Sequence, residues 1–403
     1  MLRSIDNITS LLDTDFISPV IDQVLIRLAT LIGDQCHFIL PLLCRLAVIY
    51  SRAILDLNKT ILAKEGIMTI TPRERVLTAL AHKQPDVTPW QIDLTIDAKA
   101  QTAAYLGDPD FVSKIGNHLA GCEDGHFSEV SPGFWQDQFG IVWNRTIDKD
   151  IGNVETYLLP EPTLAHYRFP VPDLARNAET YRRIIAGNVD KFRFAGVGFS
   201  MFERAWTLRG MENLLSDMIL NPQFVDELLD TILEYNLKVI DHLLQFDFDC
   251  VRFGDDWGEQ RGVIMGPKLW RRFIKPRVAA MYTRAKQAGK FVMQHSCGAI
   301  QELFPDLIDM GLDIFNTFQP EVMDVAYCKR EYGQHLTFYG GISTQQVLPR
   351  VGPSELKRVI LDMIALVGKD GGYIVAPTHG IPRDVSPENI VAFIETVRSQ
   401  QIV

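Results

Sequence analysis

The sequence predicts an α/β protein. The expected architecture is a closed parallel (β/α)8 barrel of the TIM type, with a helical N-terminal extension and a long insertion capping the barrel mouth. Three observations predict it. Short apolar strands alternate with longer helical periods through most of the 403 residues, which implies a parallel sheet. Nearly every candidate strand stops on polar groups, and a closed barrel gathers its strand C-termini on one face, where active sites are built. No Gly-rich dinucleotide turn follows the first strand and no phosphate loop occurs.

The elements follow in order. Residues 1–67 form a distinct piece. Ile21, Val24, Leu25, Leu28, Leu31 and Ile32 fall at helical spacing, as do Leu42, Leu43, Leu46, Ala47, Tyr50 and Ile54. The apolar run Phe38–Tyr50 is interrupted by Arg45 and is too short for a membrane span of ~20 residues. A barrel domain is expected over 68–403. Thr71-Pro72-Arg73-Glu74 opens its first helix, with Thr as N-cap, Pro at the first position and Glu at the third. Candidate strands are Thr88–Leu94, Phe192–Phe199, Asp249–Phe253, Phe291–His295, Ile314–Phe318, Thr337–Tyr339 and Tyr373–Ala376. Helical patterns lie between them: Met211–Ile219, Pro222–Leu244, Pro267–Gln287, Ile300–Met310 and Pro353–Val367, with Pro387–Arg398 at the end. The irregular, aromatic-rich text of 95–191 reads as the insertion over the mouth.

Composition excludes several classes. Forty basic against fifty acidic residues leave a net charge of −10, which argues against a general nucleic-acid binder. Six cysteines, at 36, 44, 122, 250, 297 and 328, show no repeated spacing. That is no disulfide scaffold, and a reducing cytoplasm is the expected location.

The strand ends carry the chemistry. The first ends at Asp93, the second at Ser200, and the third runs into Asp255-Asp256-Trp257. His295-x-Cys297 is the sharpest local signal. Residues two apart in a strand face the same way, so an imidazole and a thiol point together toward the mouth. That pair suits zinc, which takes N and S ligands tetrahedrally. Asp255, Asp256, Glu259 and His379 are candidates to complete the set. Asp255-Asp256 reads either as an acid/base pair or as one ligand or helix cap beside a solvated Asp. His379, in a turn between Pro377 and Gly380, suits proton transfer or ligation. Gly340-Gly341 permits close backbone approach to a ligand, with Ser343 just beyond. Ser200 and Trp206 are candidate substrate contacts, although residues such as Trp206, Phe202 and Met201 more often build core.

Several segments together resemble the uroporphyrinogen decarboxylase superfamily, from about Thr71 to Arg398. Ala205-Trp206-Thr207-Leu208 resembles the family's P-W-T-L segment. Phe253–Trp257 resembles its D-x-W segment, and Gly340-Gly341-Ile342-Ser343 its G-N-x-D-P turn. Thr378-His379-Gly380-Ile381-Pro382 through Asn389 resembles the closing G-H-G-I-x-P stretch. The resemblance implies a (β/α)8 barrel and two candidate chemistries. One is cofactor-free decarboxylation of uroporphyrinogen. The other is zinc-dependent methyl transfer between a small molecule and a corrinoid carried on a separate partner protein. A homodimer is a further implication of the resemblance.

The decarboxylase branch neutralises a polycarboxylate with an arginine-rich R-Q-A-G-R-Y loop after the first strand. Here that region reads Gln91-Ile92-Asp93-Leu94-Thr95, and no arginine occurs between Arg75 and Arg145. Unpaired buried carboxylates would cost several kcal/mol each. The methyltransferase branch carries H-x-C and a later Cys as zinc ligands. His295 and Cys297 match the first two, while His379 stands near the place of the third. His379 or an acidic residue is then required to complete the site. Zinc-dependent methyl transfer is therefore the leading expectation. A decarboxylase using Asp93, Asp255 or Asp256 and His379 comes second, and a non-enzymatic binding barrel third.

Overall fold

The computed structural model describes residues 70–400. The expectation for residues 1–67 lies outside the described residues. Seven parallel strands form one sheet in sequential order: β1 (Leu119–Asp124), β2 (Phe192–Val197), β3 (Cys250–Gly254), β4 (Phe291–His295), β5 (Ile314–Phe318), β6 (Thr337–Ile342) and β7 (Tyr373–Pro377). Thr88–Leu94 fills the gap between β7 and β1. Its pairing is reduced to isolated bridges, Trp90 with Val375 and Leu94 with Ile381. Gln91 N donates to Val375 O at 3.1 Å on one side, and His118 N to Trp90 O at 3.0 Å on the other. This is a TIM-barrel-like fold.

Two expectations change. Thr88–Leu94 is not a full strand, because Pro89 lacks an N–H for the ladder. The strand missing from the sequence reading is β1, which lies inside the stretch assigned wholly to the insertion. The rest of that stretch holds helix Ile96–Leu106, an antiparallel sheet of four short strands between Phe127 and Val154, and helix Leu174–Gly187. The antiparallel sheet packs on the segment that follows β2. The Trp143 and Phe199 rings lie 5.2 Å apart, and buried Asp137 pairs with buried Arg204 at 2.7 Å.

The barrel interior and its outer shell are separate cores. Leu119, Phe192, Cys250, Met293, Ile314, Tyr339 and Ile374 form the inner cluster, joined by Val76 and Leu80. The last two belong to helix Pro72–Leu80, which therefore plugs the N-terminal end of the barrel. Its start follows the sequence expectation: Thr71 and Glu74 form a reciprocal capping box, with Pro72 in the first turn. The larger cluster fills the space between strands and helices, with Pro222–Leu243, Lys275–Gln287, Pro353–Val367 and Pro387–Arg398 contributing their apolar faces. Among the described residues no helix is long and apolar enough to cross a membrane.

Candidate active site

Strand alternation decides which side chains reach the mouth. On β3, Cys250 points into the barrel, so Arg252 does too. Continuing past the strand, Asp255 and Asp256 turn to opposite sides. On β4, Met293 and His295 share the inward side, and Cys297, two residues past the strand end, lies beside His295.

His295, Cys297 and Asp256 meet. Their ligand-capable atoms all lie within 4.8 Å of one another. His295 Nε2 is 3.7 Å from Cys297 Sγ and 3.6 Å from Asp256 Oδ1. Tetrahedral zinc with ordinary bond lengths separates its ligand atoms by about 3.5 Å. The donor set, one imidazole N, one thiol S and one carboxylate O, is one that zinc accepts. The triad therefore fits zinc in chemistry and in spacing.

The surroundings hold these groups in place. Cys297 N donates to Asp256 Oδ1 at 2.8 Å, and Gly298 N to Gln319 Oε1 at 2.6 Å. Gly258 and Gly298 pack back to back. A Cβ on Gly258 would lie 2.6 Å from Cys297 O, and Gly298 has φ +84°. That close approach lets the loop after β3 bring Asp256 beside the end of β4. Asn316, on β5, fixes the imidazole: His295 Nδ1 lies 2.5 Å from Asn316 Oδ1, while Asn316 Nδ2 donates to Tyr339 O at 3.2 Å. With the amide nitrogen so engaged, its oxygen faces Nδ1. Nδ1 then carries the proton, and Nε2 presents its lone pair to Cys297 and Asp256.

Electrostatics agree with a metal-accepting site. Burial holds the His295 imidazole down to about 4 against the pull of Asp256, with Arg252 and His379 acting in the same sense as burial. The ring is thus neutral at pH 7. Burial, reinforced by Asp256, pushes the Cys297 thiol well up. Beside them, Glu203 has its carboxyl raised well above the usual range by burial and by Asp256 and Asp255.

A cavity of about 190 Å³ adjoins His295. Asp93, Arg252, Asn316, Tyr339, Thr378 and His379 line it, with Phe194, Ala376, Pro377 and Gly380. Asp93 accepts from Gln91 Nε2 at 2.9 Å, and desolvation raises its carboxyl against the opposing effect of Gln91, Arg252 and His379. The His379 and His295 ring centroids are 6.1 Å apart, so His379 faces the cavity and stands outside the triad.

Other expected residues lie elsewhere. Asp255 turns away from the mouth. It accepts from Met201 N, Phe202 N and Glu203 N and from Trp257 Nε1, at 3.2, 3.0, 2.8 and 2.5 Å. It caps helix Phe202–Arg209 from a distant part of the chain, so Asp255 and Asp256 are not an acid/base pair. Glu259 sits on a surface hairpin and takes the Arg261 N–H at 3.0 Å. Ser200, Trp206, Gly340, Gly341 and Ser343 do not line the cavity. Ser200 is buried behind β3, where its N donates to Gly254 O. Trp206 packs on the outer core. The side that Gly340 and Gly341 would fill with a Cβ is occupied by Phe318 backbone and by the Tyr373 hydroxyl. Ser343 Oγ bonds Glu321 and receives Gln346 N, closing a turn.

Sequence reasoning missed Glu123, Arg252, Asn316 and Tyr339. Arg252 had a visible signal: a cation at an inward position of an apolar strand, two residues from both Cys250 and Gly254. Glu123 belongs to the strand that was missed.

The fold and this mouth define a barrel enzyme class with a metal-fitting centre, and sequence comparison gives the family. The family model described as uroporphyrinogen decarboxylase (URO-D) matches residues 162–400, and the chain belongs to that family. A uroporphyrinogen decarboxylase from Psychromonas ingrahamii is 20% identical over 258 residues, spanning 62% of this chain and 68% of that protein. A methyltransferase from Methanosarcina mazei superposes with a TM-score of 0.63 at 15% identity, covering 82% of this chain and 99% of that one. At that identity the likeness is one of fold.

Proposed function

We propose that this protein is a zinc-dependent methyltransferase that moves a methyl group between a small molecule and a corrinoid held on a separate protein. The observation that carries the reading is the Asp256–His295–Cys297 triad, with atom spacings that suit tetrahedral zinc. Asp256, His295 and Cys297 would hold the ion. When bound, zinc would supply Lewis acidity to a methyl donor or to a thiol acceptor. Three protein ligands leave the fourth position for substrate, the arrangement of a catalytic rather than a structural site. His295 would enter as the neutral Nδ1–H tautomer set by Asn316. The Cys297 proton would leave on loading. His379 and Asp93, which line the same cavity, would orient substrate and exchange a proton with it. The cavity volume of about 190 Å³ is below the ~300–1,000 Å³ of drug-sized ligand sites, so the substrate is small.

A second reading is a cofactor-free decarboxylase of a small carboxylated molecule. It is favoured by the raised Asp93 carboxyl facing Arg252 and His379. Metal content separates the two. Protein purified without added metal should carry close to one zinc per chain, and Cys297→Ser should carry almost none and transfer no methyl group to cob(I)alamin. Methyl transfer that survives loss of Cys297 would sink the first reading. Absence of metal, with carbon dioxide release persisting in chelator, would establish the second.

A further inference from the structure

Arg252 lies on the inside of the barrel with one acidic partner, Glu123, and glycines on the neighbouring strand leave room for the pair. Glu123 on β1 and Arg252 on β3 both pair in register with Gly196 on β2. Having no side chain, Gly196 leaves the row open, and the Arg252 guanidinium reaches across it to pair with Glu123. A Cβ at Gly196 would run into the Arg252 backbone, and one at Gly198 into the Glu123 carboxylate. Phe194 supports the guanidinium, 5.9 Å from its ring centroid. Its own ring occupies the side left bare by Gly121. Apart from Glu123, no described acceptor is hydrogen-bonded to Arg252. An arginine offers five N–H donors in a planar fork. Arg252 also lines the cavity beside His295.

The geometry also sets a length. His295 pairs with Gly254, two residues beyond Arg252 on β3. Two residues of strand separate the levels by roughly 6.6 Å. An anion seated on Arg252 therefore presents atoms only a few bonds away to His295 and Cys297.

We infer that Arg252 is the anion anchor of the substrate, and that the substrate is a compact monocarboxylate whose reacting group lies a few bonds from its carboxylate. Glu123 holds one edge of the guanidinium, and the planar fork receives the carboxylate on another. Asp93 lines the same cavity, so a second negative charge on the substrate would meet an acid there. The inference rests on the proposed function only for which bond reacts.

The test uses the full chain, with and without zinc, and four acids: acetate, methoxyacetate, propionate and benzoate, each beside its neutral amide. Affinities are read by ligand-observed NMR titration at pH 7. At least one acid should bind tenfold or more tightly than its amide. Arg252→Gln should erase that preference. Arg252→Lys, which loses the planar fork, should keep a reduced preference, and Glu123→Gln should keep it or strengthen it. An unfolding curve on each sample guards against misfolding. If Arg252→Gln fails to fold, Arg252→Lys decides: an undiminished preference overturns the anchor. The anchor also falls if no acid is preferred by the wild type, or if the preference is unchanged in folded Arg252→Gln. Zinc measured on the same samples keeps the two ideas apart. Acid preference without zinc removes methyl transfer and leaves the anchor. Zinc without acid preference does the reverse.

Discussion

His295 illustrates how much of a site lies in partners that do no chemistry themselves. Its inward direction follows from strand alternation, but its tautomer is set by Asn316, whose own amide is turned by the Tyr339 carbonyl. Groups that orient a metal-bound imidazole typically change affinity by 10–100-fold when removed. Asn316→Ala should therefore weaken zinc binding by about that factor in a competition titration with a chelating dye, while leaving three ligands in place. An unchanged affinity would mean that Asn316 does not govern the ring. The thiol adds a pH signature. Burial and Asp256 keep Cys297 protonated in the metal-free protein, so loading releases one proton. Zinc affinity should rise about tenfold per pH unit between pH 6 and 8. In Cys297→Ser the residual, weaker binding should be nearly independent of pH there, because His295, held down to about 4, is already neutral.

At the scale of elements, Asp255 and Asp256 show why adjacent identical residues take different work. Beyond β3 the alternation sends Asp255 outward to the N-terminus of helix Phe202–Arg209 and Asp256 toward Cys297. Asp255→Asn removes the charge at that helix end and turns donors toward donors. A loss of about 2–3 kcal/mol in urea unfolding is expected, with zinc content retained. Loss of zinc at normal stability would instead place Asp255 in the centre. The same scale explains what could be read in advance. His295-x-Cys297 was legible because residues two apart in extended chain share a side, and Cys297 keeps that side two residues past the end of β4. The third member of the triad was not fixed, since Asp256 reaches it through the contact of Gly258 with Gly298, two residues forty apart. The strand Leu119–Asp124 was missed because Leu-Ala-Gly-Cys-Glu-Asp lacks the β-branched run that marks a strand. Gly121 is there to seat Phe194, and Glu123 to meet Arg252. Local propensity was given up for the mouth that those residues build.

The whole molecule responds to acid through imidazoles that folding keeps neutral. His118 is 1% exposed, its ring 4.0 Å from that of Trp90. Burial lowers it to about 3, and His295 is lowered to about 4. An unfolded histidine titrates near 6.5. Between pH 6.5 and the folded value the unfolded chain therefore holds more protons, so stability rises with pH and is lost as pH falls. Each such histidine contributes about 1.4 kcal/mol per pH unit across its window. Asp255, raised to about 6, and Glu203, also raised, oppose this. Their folded forms take up protons before the unfolded chain does, which favours the native state as pH falls. The absolute slope is thus a compromise, and the difference between two variants is the useful observable. His118→Phe keeps an aromatic ring against Trp90 and removes one titrating group. Its stability relative to wild type should improve by about 1.4 kcal/mol for each pH unit from 6 to 4, read from urea unfolding of zinc-free protein at half-unit intervals. Parallel acid limbs for the two proteins would show that His118 is not held neutral by the fold. An equal improvement in His295→Phe at pH 5 would show that the barrel mouth and its base share the acid sensitivity.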